Sequence, residues 1–186
     1  RVDGGYKGYN TDAIGLYREL EEENIIIKDK EVIILGAGGA SNAITYICAD
    51  KGAAKIYLLN RTFDKAKKLA DDVNSYFGDV VVPLAISDYR LIPEGKYPVI
   101  QTTSCGLYPH NDDAPIYDKE FYELVEAGVD IIFNPAKTMF MKLCKESGAR
   151  AYNGLKMLLY QGIAAFELWN DIKVPKNLAD KILGMM

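Results

Sequence analysis

Apolar positions recur along this chain in two different periods, and the period changes at polar or glycine-containing turns. From Asp12 to Glu23, Ile14, Tyr17 and Leu20 fall at helical spacing beside a charged face that ends in Glu21, Glu22 and Glu23. That spacing predicts a surface helix. Val32 to Leu35 is instead a short unbroken apolar run between a charged stretch and a glycine cluster, the pattern of a strand buried on both faces of a parallel sheet. A helix is expected to follow from about Gly39 to Lys51, then a strand over Lys55–Leu59, a helix over Asp64–Tyr76 and a strand over Val80–Leu84. Pro98–Gln101 and Val129–Phe133 read as two more strands around a helix near Asp118–Glu126, and Ala149–Tyr152 as a sixth strand. Two helices close the chain, Leu155–Asn170 and Asn177–Leu183, with Pro175 between them as a stop signal. Strands alternating with helices over short turns predict an α/β fold, a doubly wound parallel sheet of about six strands with helices on both faces.

Composition narrows the function. The 186 residues suffice for one sizeable core and are short for two. The formal net charge of -4, from 22 Lys+Arg against 26 Asp+Glu, leaves no basic surplus to neutralise a phosphate backbone, which sets nucleic acid aside as a partner. No apolar run approaches the roughly 20 residues of a membrane span, and the N-terminus lacks a signal-peptide pattern, so a cytoplasmic chain is expected. Cys48, Cys105 and Cys144 are odd in number and far apart, which suits reduced thiols. No cluster has metal-ligand spacing, and His110 sits in a polar loop with Asn111, Asp112 and Asp113. The chain opens at Arg1 without an initiator Met and is at once in motif-like sequence, as expected of a piece of a longer protein.

Gly36-Ala37-Gly38-Gly39-Ala40-Ser41 directly follows the first strand and opens a helix. This is the position of the Rossmann dinucleotide fingerprint, with Ser41 where the third small residue belongs. Gly36 permits the tight turn, Gly38 removes a Cβ from the path of a pyrophosphate, and the free N–H groups of the helix's first turn point at the anion. The plainer alternative is a strand-to-helix turn with no ligand. Asn60, 24 residues after Gly36, stands where an Asp or Glu would bond a ribose 2′-hydroxyl. In place of that carboxylate come Arg61, Thr62 and, one helical turn on, Lys65, a set that suits a 2′-phosphate and so favours NADP over NAD.

These residues and four further elements together resemble the shikimate dehydrogenase family. Gly8-Tyr9-Asn10-Thr11-Asp12 with Gly15 matches its G-x-N-T-D-x-x-G element, Gly36 to Ser41 its GAGGAS loop, and Asn60 to Thr62 its NRT cluster. Thr102-Thr103-Ser104 with Gly106 and Pro109 is similar to its T-S-x-G-x-x-P loop. Asp130 to Pro135 with Thr138 is similar to its D-x-x-Y-x-P-x-x-T element, and Gly154 to Gln161 to its G-x-x-M-L-x-x-Q-G helix. The resemblance implies NADP-dependent, reversible reduction of 3-dehydroshikimate to shikimate in chorismate and aromatic amino acid biosynthesis. It also implies that residues 1–153 form the cofactor domain, whose doubly wound sheet is expected in strand order 3-2-1-4-5-6. Residues 154–186 would then form helices that pack on an amino-terminal substrate domain preceding Arg1.

By the same resemblance Asp12 is the catalytic aspartate, partnered by a Lys in that preceding domain, and Asn10, Asp12, Phe133 and Gln161 contact substrate. Thr102, Thr103, Ser104, Ile131 and Gly154 line the nicotinamide end of the cofactor site. Read without the family, Asn10-Thr11-Asp12 is a helix cap and Gln161 a buried amide bonded to backbone. Phe133 departs from the family's tyrosine and lacks its hydroxyl. An apolar stripe including Leu158, Phe166 and Trp169 is expected to be exposed, so self-association of this chain, as a homodimer or otherwise, is expected. Without the preceding domain the chain is expected to be inactive alone. Two other readings stay open here: an NAD-linked quinate/shikimate dehydrogenase, and a non-catalytic nucleotide-binding module.

Overall fold

The structure is a computed structural model that describes residues 3–186. The first two residues of the expected cofactor domain lie outside it. In chain order the elements are α1 (Asp12–Glu22), β1 (Glu31–Leu35), α2 (Gly39–Asp50), β2 (Lys55–Asn60), α3 (Phe63–Phe77) and β3 (Val81–Ala85). A 3₁₀ segment at Ile86–Leu91 leads to β4 (Tyr97–Gln101), α4 (Lys119–Glu123), β5 (Val125–Asp130), α5 (Met139–Glu146), β6 (Arg150–Asn153), α6 (Leu155–Asn170) and α7 (Lys176–Leu183).

The six strands form one sheet in the order β3-β2-β1-β4-β5-β6, every pair parallel. β1 is central, with Ile33 facing Tyr57 of β2 and Val99 of β4. Because side chains alternate along a strand, β1 feeds two cores. Val32 and Ile34 join Leu16, Leu20, Ile44, Leu69 and Met157 under α1, α2, α3 and α6. Ile33 and Leu35 join Phe121, Tyr122, Phe140 and Cys144 under α4 and α5. Burial on both faces is why β1 reads as an unbroken apolar run, and each such Leu or Ile contributes roughly 1.5–3 kcal/mol.

Two sequence expectations need correction, both beyond β4. The helix expected near Asp118–Glu126 is shorter, Lys119–Glu123, and the strand expected over Val129–Phe133 runs over Val125–Asp130. Glu126 and Gly128 made that stretch read as helix end and turn. Gly128 in fact lies where a Cβ would stand 2.7 Å from Cys144 Sγ, so the strand is pressed against α5. The strand ends at Asp130 because its carboxylate turns back to accept the N–H of Ile132 at 3.0 Å. Phe133 therefore lies past the strand, exposed.

The second correction is α5 itself, which the apolar pattern did not predict. Parallel β5 and β6 require a crossover, and a two-turn helix supplies it by burying Phe140, Met141 and Cys144. Thr138 caps it, accepting from the N–H of Met141 at 3.3 Å.

Candidate functional site

The order of the strands reverses between β1 and β4, so the chain leaves these two neighbours in opposite directions and opens a crevice at their carboxyl ends. Gly36 and Thr102 form its floor. Gly36 has φ +110, and a Cβ there would stand 2.6 Å from Thr102 Oγ1, so both the backbone conformation and the space exclude a side chain. Thr102 in turn donates its N–H (2.9 Å) and its hydroxyl (2.7 Å) to the carbonyl of Leu35. Buried Ser41 donates its hydroxyl to the carbonyl of Gly36 at 2.6 Å and closes the loop upon itself. Ala37 and Ala40 pack on the core below.

Among the described residues, Gly38 and Gly39 have nothing within 4 Å of a Cβ position, so the outward side of the loop is bare backbone. Gly38 precedes the first turn of α2 in an extended conformation and has no side chain to cap it. The first-turn N–H groups of a helix have no partner within the helix. Bare glycine backbone beside such N–H groups fits a pyrophosphate, which needs close approach and donors rather than a counter-ion.

At the end of β2, Asn60 donates its amide to the carbonyl of Thr62 at 2.8 Å, shaping the turn into α3. Arg61, Thr62 and Lys65 are exposed. Lys65 lines a hollow of about 820 Å³ together with Asn10, Ala13, Ala37, Gly38 and Gly39, which runs on along the outer face of α2 to Tyr46 and Phe77. A neighbouring hollow of about 470 Å³ adds Lys68 to Lys65, Gly38 and Asn42. Of the expected cations, Lys65 thus shares one side of the crevice with the glycine loop, joined by Lys68, while Arg61 lines neither hollow.

Of the remaining expected residues, Asn10 lines the larger hollow and the others lie outside both. Thr103 and Ser104 follow Thr102 after β4, and Ile131 follows β5. Gly154 follows β6, and a Cβ on it would overlap the carbonyl of Ile131, so these two segments touch through backbone alone. Asn10 Oδ1 accepts from the N–H groups of Asp12 (3.0 Å) and Ala13 (3.2 Å), which makes Asn10 the side-chain cap of α1. Asp12, the first residue of α1, is exposed. Gln161 is half-buried, donating to the carbonyl of Leu158 at 3.1 Å and accepting from the Thr11 hydroxyl at 3.5 Å. Both plainer readings, the cap and the backbone-bonded glutamine, therefore describe contacts present in the structure.

Sequence reasoning gave no role to two buried acids. Asp130 is fully buried and accepts from the Thr138 hydroxyl (2.6 Å), the Ile132 N–H (3.0 Å) and the Gln101 amide (3.4 Å). Burial pushes its carboxyl up to about 6 against the pull of those three donors. Gln101 also donates to the carbonyls of Cys105 (3.1 Å) and Thr103 (3.3 Å), so Asp130 holds the loop after β4 through it. The second acid is Glu19, buried between α1 and α6 with its Oε2 3.1 Å from the Met157 nitrogen. Asp130 carried a usable signal, one acid inside the apolar run Val129-Asp130-Ile131-Ile132. Glu19 carried none, lying among Glu21, Glu22 and Glu23 in sequence.

Known proteins are similar to this chain over most of its length. Residues 19–86 match the family model described as Shikimate / quinate 5-dehydrogenase, and residues 154–181 match that of the Shikimate 5′-dehydrogenase C-terminal domain. The shikimate dehydrogenase (NADP(+)) of Carboxydothermus hydrogenoformans is 38% identical over 178 residues, covering 96% of this chain and 63% of that protein. The crystal structure of a shikimate dehydrogenase in complex with NADP+ superposes with a TM-score of 0.79 at 34% identity, over 98% of this chain and 63% of the other. The shikimate 5-dehydrogenase of Listeria monocytogenes, in complex with shikimate and NAD, gives a TM-score of 0.85 at 27% identity over 98% and 65%. The chain thus spans about three fifths of the length of the relatives it matches.

Proposed function

Because the chain belongs to the shikimate dehydrogenase family, we propose that it is the NADP-holding part of an oxidoreductase interconverting 3-dehydroshikimate and shikimate in chorismate and aromatic amino acid biosynthesis. The observation that carries this reading is the contact of Gly36 with Thr102 at the strand-order reversal, with the bare Gly38–Gly39 backbone and Lys65 beside it. In this reading Gly36, Ala37, Gly38, Gly39, Ala40 and Ser41 hold the pyrophosphate against the first turn of α2. Asn60, Arg61, Thr62 and Lys65 hold the 2′-phosphate, and Thr102, Thr103, Ser104, Ile131 and Gly154 line the nicotinamide end.

NADPH, when bound, supplies the hydride that reaches the carbonyl carbon of 3-dehydroshikimate. The proton for the carbonyl oxygen, and its removal in the reverse direction, fall to Asp12 acting with a Lys supplied from outside this chain. Asp12 is suited to this by its place, since Asn10 fixes the backbone N–H of the same residue. Asn10 keeps its amide nitrogen for a substrate hydroxyl while its oxygen caps α1. Gln161 meets a second hydroxyl by exchanging its bond to Leu158. Phe133 offers an apolar face only. Residues 154–186 dock on a substrate-binding body of protein, a reading supported by exposed Phe166 and Trp169 on α6.

Calorimetric titration of the 186-residue chain with NADP and with NAD tests the cofactor reading, and shikimate oxidation by the full-length protein and by this chain tests the rest. NADP is expected to bind in preference to NAD, the full-length protein to turn over, and the chain alone to bind without turnover. Equal or tighter NAD binding moves the reading to an NAD-linked quinate/shikimate dehydrogenase. Cofactor binding without turnover by the full-length protein on either substrate leaves a nucleotide-binding module.

A further inference from the structure

Gly154 cannot carry a side chain, because a Cβ would overlap the Ile131 carbonyl. Helix α6 therefore starts without a side-chain oxygen at the residue where most helices find one, and its first N–H groups must be satisfied from elsewhere. Asn153 Oδ1 takes the N–H of Leu155 at 3.2 Å. The N–H of Met157 is taken by Glu19 Oε2 at 3.1 Å, reaching across from α1. Glu19 is 1% exposed, a carboxyl with a tertiary contact and no part in the proposed chemistry.

We propose that Glu19 is a positioning residue: its carboxyl fixes the first turn of α6 from α1, and with it the places of Gly154 and Gln161 at the crevice. The inference rests on the reading of that crevice as the cofactor and substrate site. Two further observations support it. A Cβ on Gly15 would stand 2.7 Å from both the Met157 carbonyl oxygen and the Gln161 nitrogen, so the two helices touch backbone to backbone one turn from Glu19. Asp12 rides on the same α1, two turns N-terminal to Glu19, so one carboxyl ties the Asp12 helix to the Gly154–Gln161 helix.

The bond is sensitive to ionisation. Burial pushes the Glu19 carboxyl up to about 8, opposed by the Met157 N–H and Lys156 and reinforced by Glu23 and Glu22. The charged groups around it are Glu22 and Glu23 on α1, both paired with Lys156 of α6, Tyr160 of α6, which donates to Glu22, and Arg150 of β6, which donates to the Glu23 carbonyl. A neutral carboxyl accepts from Met157 through its carbonyl oxygen. The ionised form accepts as an anion at a helix N-terminus, where the bond is stronger. The bond to Met157 is thus stronger for the anion, while burial makes the α1–α6 contact favour the neutral form, so the first turn of α6 responds as Glu19 titrates.

The test takes the full-length protein carrying this chain, as wild type, E19Q and E19L, through backbone amide NMR and steady-state shikimate oxidation between about pH 5 and about pH 9.5. In the wild type the amides of Met157, Gly154 and Gln161 are expected to move along one curve with its midpoint well above the ordinary carboxyl range. E19Q, which keeps the acceptor and cannot titrate, is expected to flatten that curve and the matching limb of the pH profile. E19L, which removes the acceptor, is expected to lower kcat/KM by about tenfold to a hundredfold, with E19Q recovering most of the loss. Three results overturn the proposal: Met157 titrating as an ordinary carboxyl neighbour, Gly154 and Gln161 standing still while Met157 moves, or E19L keeping wild-type kcat/KM and pH profile. If E19L does not fold, the E19Q curves decide. If the wild type neither binds NADP nor oxidises shikimate, the functional reading fails, and the amide curves still decide whether Glu19 sets the start of α6.

Discussion

Gly15 and Gln161 stand so close that a Cβ on the first would lie 2.7 Å from the backbone nitrogen of the second. The contact joins α1, which carries Asn10 and Asp12 at its start, to α6, which carries Gln161 in its second turn. Around it Arg18 pairs with Glu167 at 2.6 Å and Lys156 with Glu22 and Glu23, so the two helices are bonded along their shared length. Arg18 and Glu167, 149 positions apart in sequence, are thereby held together with Gly15 and Gln161, which is what a site assembled from both ends of a chain requires.

Gly15→Ala is therefore expected to push α1 and α6 apart and destabilise the fold by about 1–3 kcal/mol. Urea denaturation of the variant against the wild type measures it. An unchanged midpoint would mean the helices part without cost and the contact holds nothing in place.

The two loop glycines separate folding from binding. Gly36→Ala meets both the positive φ and Thr102, so it is expected to lower the melting temperature as well as NADP affinity. Gly38→Ala meets nothing within 4 Å among the described residues, so its melting temperature is expected to stay at the wild-type value while NADP affinity falls by about tenfold or more. Thermal melts and calorimetry on the same preparations check this, and tight NADP binding by Gly38→Ala would remove the loop from the cofactor site.

Most of the sheet was legible because burial on both faces writes itself as an apolar run. β1, flanked by Lys30 and Gly36, and β2, whose apolar run Ile56–Leu59 lies between Lys55 and Asn60, leave little choice of boundaries. β5 was misplaced because Glu126 and Gly128 break that pattern for tertiary reasons: Glu126 pairs with Arg150 across to β6, and Gly128 makes room for Cys144 and Phe140. α5 was missed because a two-turn helix needs only three buried residues, too few for a periodic signal. At the site, the glycine loop and the Arg61–Lys65 cluster announce themselves through local spacing. Glu19 acts through a partner 138 residues away and Asp130 in part through Gln101, 29 residues away, pairings that no local pattern encodes, whereas the bond of Asp130 to Thr138 lies within one local element.

Arg61 is expected to discriminate between cofactors. Removing a charge-assisted bond to a 2′-phosphate costs about 1.5–3 kcal/mol, so Arg61→Ala should weaken NADP by about tenfold to a hundredfold and leave NAD nearly unchanged. Dissociation constants for both cofactors at two salt concentrations decide it. A parallel loss for NADP and NAD would place Arg61 elsewhere on the nucleotide.

Trp169 is 82% exposed on α6, with Phe166 exposed one turn before it. An apolar pair of that kind on a helix surface favours association, so the 186-residue chain is expected to self-associate with rising concentration, and Trp169→Lys to reduce this. Sedimentation velocity over a concentration series is the measurement, and a monomer throughout would show that the pair is tolerated in water.

Asp130 makes stability depend on pH in a direction opposite to that of an ordinary salt-bridged carboxylate. Its pKa rises from 3.8 to about 6 on folding, chiefly through burial, so between those values the folded state holds more protons than the unfolded one. Its contribution is complete below the unfolded value, falls as pH rises toward 6, and is constant above. The span of two units amounts to about 3 kcal/mol. Asp118, Glu22 and Glu167, whose carboxyls are held below their ordinary range, slope the other way, so the effect is read as a difference. Asp130→Asn, which keeps one oxygen to accept from Ile132, turns its NH2 toward the Thr138 oxygen and cannot ionise, is expected to lose stability less steeply than the wild type between about pH 4 and about pH 6. Denaturation midpoints across that window test it. Identical slopes would mean that Asp130 ionises in the fold as it does in the open chain, and that its three donors fully offset its burial.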